Sequence, residues 1–513
     1  MHHAELVLGL LIAVAALVTV ARRLDIAYPI FLVIGGLVLG LVPGVPRIEM
    51  DPEVIFVIVL PPLLYIAAYF TAGQSLRANL FTISSLAVGL VIASTCAVAV
   101  AARLLIPGMP WSVAFVLGAI VSPPDAVAAT AVTARLAVPR QIVTILEGES
   151  LLNDATALTI YGMALAVASG AVFSPSAAVA RFSSALLGGC LIGLVVGWLI
   201  AHVRASIEDT PVEMTISLLT PFAAYLPAER LGASAVIATV TAGLWLGHRG
   251  SHIMGADARL TGRAVWDTLT FLLNGFVFIV MGLEVPLLLR ALTLRQAVQL
   301  VGIGVVVTLV LFAVRALWLA VTVYLPDRLH GRAEAAAGSL VLSWAGMRGV
   351  VSLAAALALP FALPAREAVV IVTVTVIVLT LVGQGLTLPW LIRVLGLGHD
   401  TGQRAEEAQA RAALLEAATR RIDQLYPVWP GHQPLLDQLR ETYRHRSEHV
   451  ERQRDPADGG VDQELIEHRE IRRTVIDAVR EALLRLRTEG EINEQVLREL
   501  ERELDLEERR MDA

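Results

Sequence analysis

The sequence predicts an all-α, polytopic membrane protein with a soluble helical tail, and three observations lead there. Hydrophobic residues make up 56% of the 513-residue chain and charged residues only 17%, too little polar surface for a soluble domain of this size. The apolar residues come in blocks of about 17–25, the length that carries a helix across a bilayer core. The charges are unevenly divided: Met1 to Asp400 holds 21 Arg and 20 acidic residues, whereas Thr401 to Ala513 packs 19 Arg and 26 acidic residues into a much shorter stretch. A membrane domain is therefore placed at residues 1–398. An acidic tail, expected to be cytoplasmic and regulatory, follows at 399–513.

Thirteen spans are read from hydropathy, at about 4–21, 28–44, 53–71, 82–104, 111–134, 141–169, 182–203, 214–227, 232–247, 264–289, 297–324, 336–361 and 366–397. Turn residues such as Pro107-Gly108 separate them. The N-terminus lacks the positive segment and small-residue cleavage site of a signal peptide, so the first run is read as a retained span. Alternate loops differ in arginine content, with twelve against seven. The richer set is expected on the cytoplasmic side of the plasma (inner) membrane, which puts the N-terminus outside and the tail inside. In the tail, Val496, Leu497, Leu500, Leu504 and Leu506 predict an amphipathic helix from Ile492 to Arg510, either solvated or docking a partner. Every basic residue other than histidine is arginine, so a buried cation opposite a carboxylate is Arg or His. Cys96 and Cys190 lie in apolar runs and predict neither a disulfide nor a metal cluster. No nucleotide-binding loop, zinc spacing or basic nucleic-acid patch occurs, and no cofactor is expected.

A charge inside a bilayer is costly and needs a reason. Three polar clusters lie deep in apolar runs. The first is Ser122-Pro123-Pro124-Asp125. Two prolines remove two N–H donors and collide with the preceding turn, so the fifth span must break or kink there. A broken helix leaves carbonyls and helix ends free for a small cation, with Asp125 beside them. The second is Glu147-Gly148-Glu149-Ser150-Leu151-Leu152-Asn153-Asp154. Ser150, Asn153 and Asp154 are spaced i, i+3, i+4 and share one helix face, presenting hydroxyl, amide and carboxylate oxygens that suit an alkali cation. Glu149 points to a neighbouring sector. The third is Gly346-Met347-Arg348-Gly349. A buried guanidinium needs a carboxylate partner. With Asp154 left free for exchange, Glu149 is the expected partner of Arg348.

These motifs together resemble the sodium/proton exchangers, in particular the electroneutral bacterial cation:proton antiporters related to the animal plasma-membrane exchangers. The resemblance spans the membrane part and includes Leu60-Pro61-Pro62-Leu63-Leu64-Tyr65 and Gly383-Gln384-Gly385-Leu386-Thr387. It implies about thirteen helices in two inverted repeats with discontinuous helices, a dimerisation domain that makes the protein a homodimer, and a moving ion-transport domain. By that analogy Asp154 binds the cation or the proton, Asn153 supports it, Asp125 organises the site and Ser150 donates an oxygen. The Pro124 carbonyl remains available as a ligand, and Glu149 and Arg348 form a structural pair. Two positions depart from the pattern: Pro124 replaces a threonine, and Ile66 stands where many relatives carry an acid.

The implied activity is exchange of Na+, or alternatively Li+ or K+, for H+ by a transporter rather than an enzyme. One exchangeable carboxylate preceded by Asn predicts electroneutral one-for-one exchange serving pH and sodium homeostasis. A K+/H+ antiporter is the nearest alternative. A cation channel would need a repeated pore loop, and a membrane sensor would not need Asp154.

Overall fold

The computed structural model describes residues 2–24, 27–42, 55–71, 73–133, 138–207, 209–253, 256–290, 292–325, 333–397, 401–452 and 461–489, with the single positions 497, 500 and 504. Among the described residues every regular element is helical. The chain divides into two compact units, Met1–His399 and Asp400–Ala513.

The first unit opens with α1 (His2–Arg23), α2 (Tyr28–Leu41), α3 (Leu60–Phe70) and α4 (Leu80–Leu105). Then come α5 (Trp111–Val121), α6 (Ala126–Thr133) and α7 (Arg140–Ala168). The chain continues through α8 (Pro175–Arg204), α9 (Thr210–Arg230), α10 (Ala235–Ile253), α11 (Ala256–Arg290) and α12 (Leu294–Tyr324). It ends with α13 (Ala333–Trp344), α14 (Val350–Leu357) and α15 (Arg366–Val394). Six of these, α4, α7, α8, α11, α12 and α15, are long and apolar enough to cross a membrane by length and composition. Helices α2, α3 and α5 are apolar but shorter. The eighth and ninth predicted runs fold as longer helices than hydropathy suggested, because polar residues extend them. At α9 the Asp209 carboxylate accepts from the Val212 N–H at 3.0 Å and caps the helix.

Helix α15 is the most enclosed, with 67% of its apolar window buried, against 22% in α8 and in α12. The outer faces of α8 and α12 are apolar, with Leu187, Leu191 and Trp198 exposed on one and Leu309 and Leu317 on the other. Such faces are at home in hydrocarbon. Between helices in lipid there is no hydrophobic drive, so close packing has to hold them. Helices α2 and α11 meet at Gly36 and Gly282, where a Cβ on Gly36 would strike the Ile279 carbonyl and one on Gly282 the Val33 carbonyl. A buried pair, Arg204 with Glu213 at 3.0 Å, ties α8 to α9, and the Trp266 indole N–H donates to Ser217 Oγ at 3.0 Å to join α9 to α11.

Two elements are interrupted. The fifth predicted span is broken at Ser122–Asp125, as the double proline demands. The twelfth, read as one run over 336–361, is instead two helices separated by a non-helical segment at 345–349.

The second unit contains α16 (Thr401–Leu425), α17 (Gln433–Arg452) and α18 (Val461–Thr488). Ile422, Leu436, Ile476 and Leu483 are buried. The Tyr426 hydroxyl donates to Asp437 Oδ1 at 2.5 Å across the α16–α17 turn. The amphipathic helix expected from Ile492 to Arg510 falls largely outside the described residues.

Candidate functional site

The two interruptions face each other. The Asp125 backbone N–H donates to the Met347 carbonyl at 2.6 Å, so one break closes a hydrogen bond that the other leaves open. One Asp125 carboxylate oxygen accepts from the Val127 N–H at 2.8 Å and caps α6. The carboxylate therefore serves the positive end of the α6 half-helix. Gly349 is required at this junction because an added Cβ would overlap the Asp125 carboxylate.

The negative ends are served by arginine. Arg348, 2% exposed, donates from Nε to the Val121 carbonyl at 2.9 Å and from Nη2 to the Ser122 carbonyl at 3.3 Å, both at the end of α5. Its Nη1 donates to the Gly346 carbonyl. Its own backbone N–H donates to Thr380 Oγ1 of α15 at 3.1 Å. These are the carbonyls and amides that a continuous helix would have satisfied internally.

The expected pair of Glu149 with Arg348 is therefore corrected. Glu149 instead forms a two-pronged ion pair with Arg315 of α12, Nη1 to Oε1 at 2.5 Å and Nη2 to Oε2 at 2.8 Å. Arg315 Nε donates in addition to the Leu342 carbonyl in the last turn of α13, at 2.9 Å. The bidentate fork matches the carboxylate geometrically. Arg348 has no such demand on it because the broken helix ends already occupy its donors. Arg315 is the residue that the sequence reading passed over. Its signal was present, since it is the single charge between Arg295 and Asp327.

The polar face of α7 is divided between two tasks. Asn153, fully buried, donates from Nδ2 to the Pro124 carbonyl at 2.9 Å and so props the α5–α6 break. Ser150 and Asp154 instead line a cavity of about 570 Å³, together with Pro124, Asp125 and Ile66. Asp154 is buried, and no hydrogen bond or ion pair among the described residues engages its carboxylate. Glu147, half-buried, lies on the same cavity wall. Of the predicted site residues, the cavity thus brings together Asp154, Asp125, Ser150 and Pro124. Asn153 stands behind them, and Glu149 and Arg348 are committed elsewhere. The arrangement offers the Asp125 and Asp154 carboxylates and the Ser150 hydroxyl to a small cation, with Glu147 and Asp267 also on the cavity lining and no fixed cation bonded to Asp154 among the described residues.

Comparison with known proteins identifies the family. Residues 9–394 match the family model described as sodium/hydrogen exchanger, transmembrane. An uncharacterised Na+/H+ exchanger of Mycobacterium tuberculosis is 36% identical, over 98% of this chain and 96% of its own. A low-affinity Na+/H+ antiporter of Synechocystis is 33% identical, over 79% of this chain and 76% of its own. The fold is that of a sodium proton antiporter of Methanocaldococcus jannaschii, with a TM-score of 0.62 at 20% identity, covering 78% of this chain and all of that one. The chain is a multi-pass membrane protein that belongs to the sodium/hydrogen exchanger family.

Proposed function

We propose that this protein exchanges Na+ for H+ across the plasma membrane by alternating access, with Asp154 as the carboxylate that carries either ion. The observation that supports this most is that Asp154 and Asp125 line one cavity while Glu149, Arg315 and Arg348 are engaged away from Asp154. One carboxylate holds one proton or one monovalent cation, and the two exclude each other. Loaded either way, the site carries the same charge, so the exchange is electroneutral. Asp125 caps α6, bonds the Met347 carbonyl through its own N–H and adds a further negative charge to the chamber, and Ser150 supplies a neutral oxygen. The working assembly is a homodimer with its N-terminus outside and its tail in the cytoplasm, serving sodium and pH homeostasis.

A wider cation range is the second reading. Ile66 and Pro124 supply no side-chain oxygen to the cavity, which leaves the cage less demanding of ion size. A Bacillus subtilis relative, 30% identical over 75% of this chain and 61% of its own, is named a sodium, potassium, lithium and rubidium/H+ antiporter.

Sealed vesicles test the reading. Asp154→Asn is expected to abolish Na+-driven proton movement while insertion is retained. In the same wild-type vesicles a valinomycin-clamped potential is expected to leave the final Na+ gradient unchanged. Exchange at the wild-type rate in the mutant would remove Asp154 from the mechanism, and a gradient that follows the potential would show unequal charge movement.

A further inference from the structure

Among the described residues, three buried hydroxyls of the membrane unit, on Tyr65, Ser352 and Thr373, have no hydrogen-bond partner, and of the three Ser352 lines the cavity of Asp154. Thr156 and Thr159 on α7, and Thr375 and Thr380 on α15, each donate to the carbonyl four residues earlier, at 3.3, 2.7, 2.8 and 2.8 Å. That is the usual resort of a hydroxyl in an apolar helix. Ser352 lies in the first turn of α14, so the residue four before it, Arg348, is in the break rather than in a helix. Its Oγ has no hydrogen-bond partner among the described residues although Ser352 is 2% exposed. A buried polar atom without a partner is uncommon and asks for an explanation.

The explanation lies in the cavity it lines, which is the one that holds Asp154, Asp125 and Ser150. Asn274 of α11, 1% exposed, lines the same cavity, and its Oδ1 is likewise without a hydrogen-bond partner among the described residues. Acceptor oxygens without donors, lining one cavity with the Asp125 and Asp154 carboxylates, can replace the water shell of a desolvated cation. The chamber also lacks the side-chain oxygens that Pro124 and Ile66 do not provide.

We propose that Ser352 Oγ is an oxygen ligand of the transported cation and sets its affinity. The proposal rests on the reading of Asp154 as the exchanging carboxylate. Ser352 acts on cation binding and not on the proton-carrying step, so its loss weakens Na+ without slowing a saturated exchanger.

The test uses the purified full-length protein, reconstituted in liposomes for transport and held in detergent for melting. Ser352→Ala removes the oxygen, and Ser352→Cys replaces it with a soft sulfur that binds alkali cations poorly. Both variants are expected to raise the apparent KM for Na+ about five- to tenfold. The maximal rate should stay within about twofold of wild type. In Na+-free choline buffer their Tm should match wild type, because no protein hydrogen bond is lost, while the Na+-induced rise in Tm shrinks. A wild-type KM with a wild-type Na+-induced rise in both variants overturns the proposal. So does a lower maximal rate at unchanged KM, which would mark a structural role. Asp154→Asn run alongside separates the two readings. If it still transports Na+ and is still stabilised by it, the site reading fails. If it is inactive while both Ser352 variants keep the wild-type KM, the hydroxyl proposal alone fails.

Discussion

At the scale of single residues, Glu149, Arg315 and Arg348 show how buried charges are distributed. Arg315 neutralises Glu149, and Arg348 neutralises helix ends. Removing one partner of a buried pair leaves the other unpaired in a poor solvent, a loss of about 3–5 kcal/mol. Glu149→Gln and Arg315→Gln are each expected to lower Tm in detergent, and the double variant should lose clearly less than the sum of the two. Glu149→Gln with Arg348→Gln should come much closer to additivity, since the two share no hydrogen bond. A double-mutant cycle on Tm checks both statements. A larger coupling to Arg348 than to Arg315 would contradict the pairing. The presence of a buried Glu149 and a buried Arg348 was legible in the sequence. Their partners were not, because a lone arginine in an apolar run carries no local motif.

At the scale of elements, the site is built by two interrupted helices that complete each other. The α5–α6 break could be read from Pro123-Pro124, because a missing N–H and a ring clash act locally. The α13–α14 break could not. Gly346 and Gly349 permit non-helical backbone but do not require it. The non-helical segment is held by partners distant in sequence, Thr380 on the Arg348 N–H and Asp125 on the Met347 carbonyl. Gly349 is where the two elements press closest. Gly349→Ala is expected to displace Asp125 or α14 and to reduce Na+-driven proton movement by at least about tenfold, as overpacking a rigid contact does. Gly383→Ala, whose added methyl meets nothing within 4 Å, is the matched control and should stay close to wild type. Transport per inserted protein in vesicles reads both. Equal activity in the two variants would show that the junction has room to relax.

At the scale of the whole molecule, the chain forms two units with different solvents. Every residue placed at the candidate site belongs to Met1–His399. The second unit has its own buried residues and a charged exterior, including the Arg420–Glu416 pair at 2.6 Å between two exposed side chains. Exposed pairs of that kind add little stability. Truncation after His399 is therefore expected to leave Na+/H+ exchange in place and to shift its dependence on Na+ or pH. Vesicle assays of the truncated protein across both variables provide the measurement. A correctly inserted truncation with no exchange under any condition would make the tail part of the ion pathway.

The amino-acid sequence by itself determined that the chain is helical, that most of it is built for a membrane, where the apolar helices lie, that the helix breaks before Asp125, and that Ser150 and Asp154 share one helix face. These follow from interactions of short range: hydropathy over about 20 residues, the missing donor of proline, and the i, i+3, i+4 spacing of a helix face. Only the tertiary structure decided which cation meets which anion. Glu149 and Arg315 are 166 positions apart, and Arg348 reaches a carbonyl 227 positions away. Coulombic attraction has no sequence address, so a buried charge takes the partner that packing brings within reach. The same packing left the Ser352 hydroxyl without a carbonyl and placed it in the chamber of Asp154, a position that neither propensity nor spacing along the chain could encode.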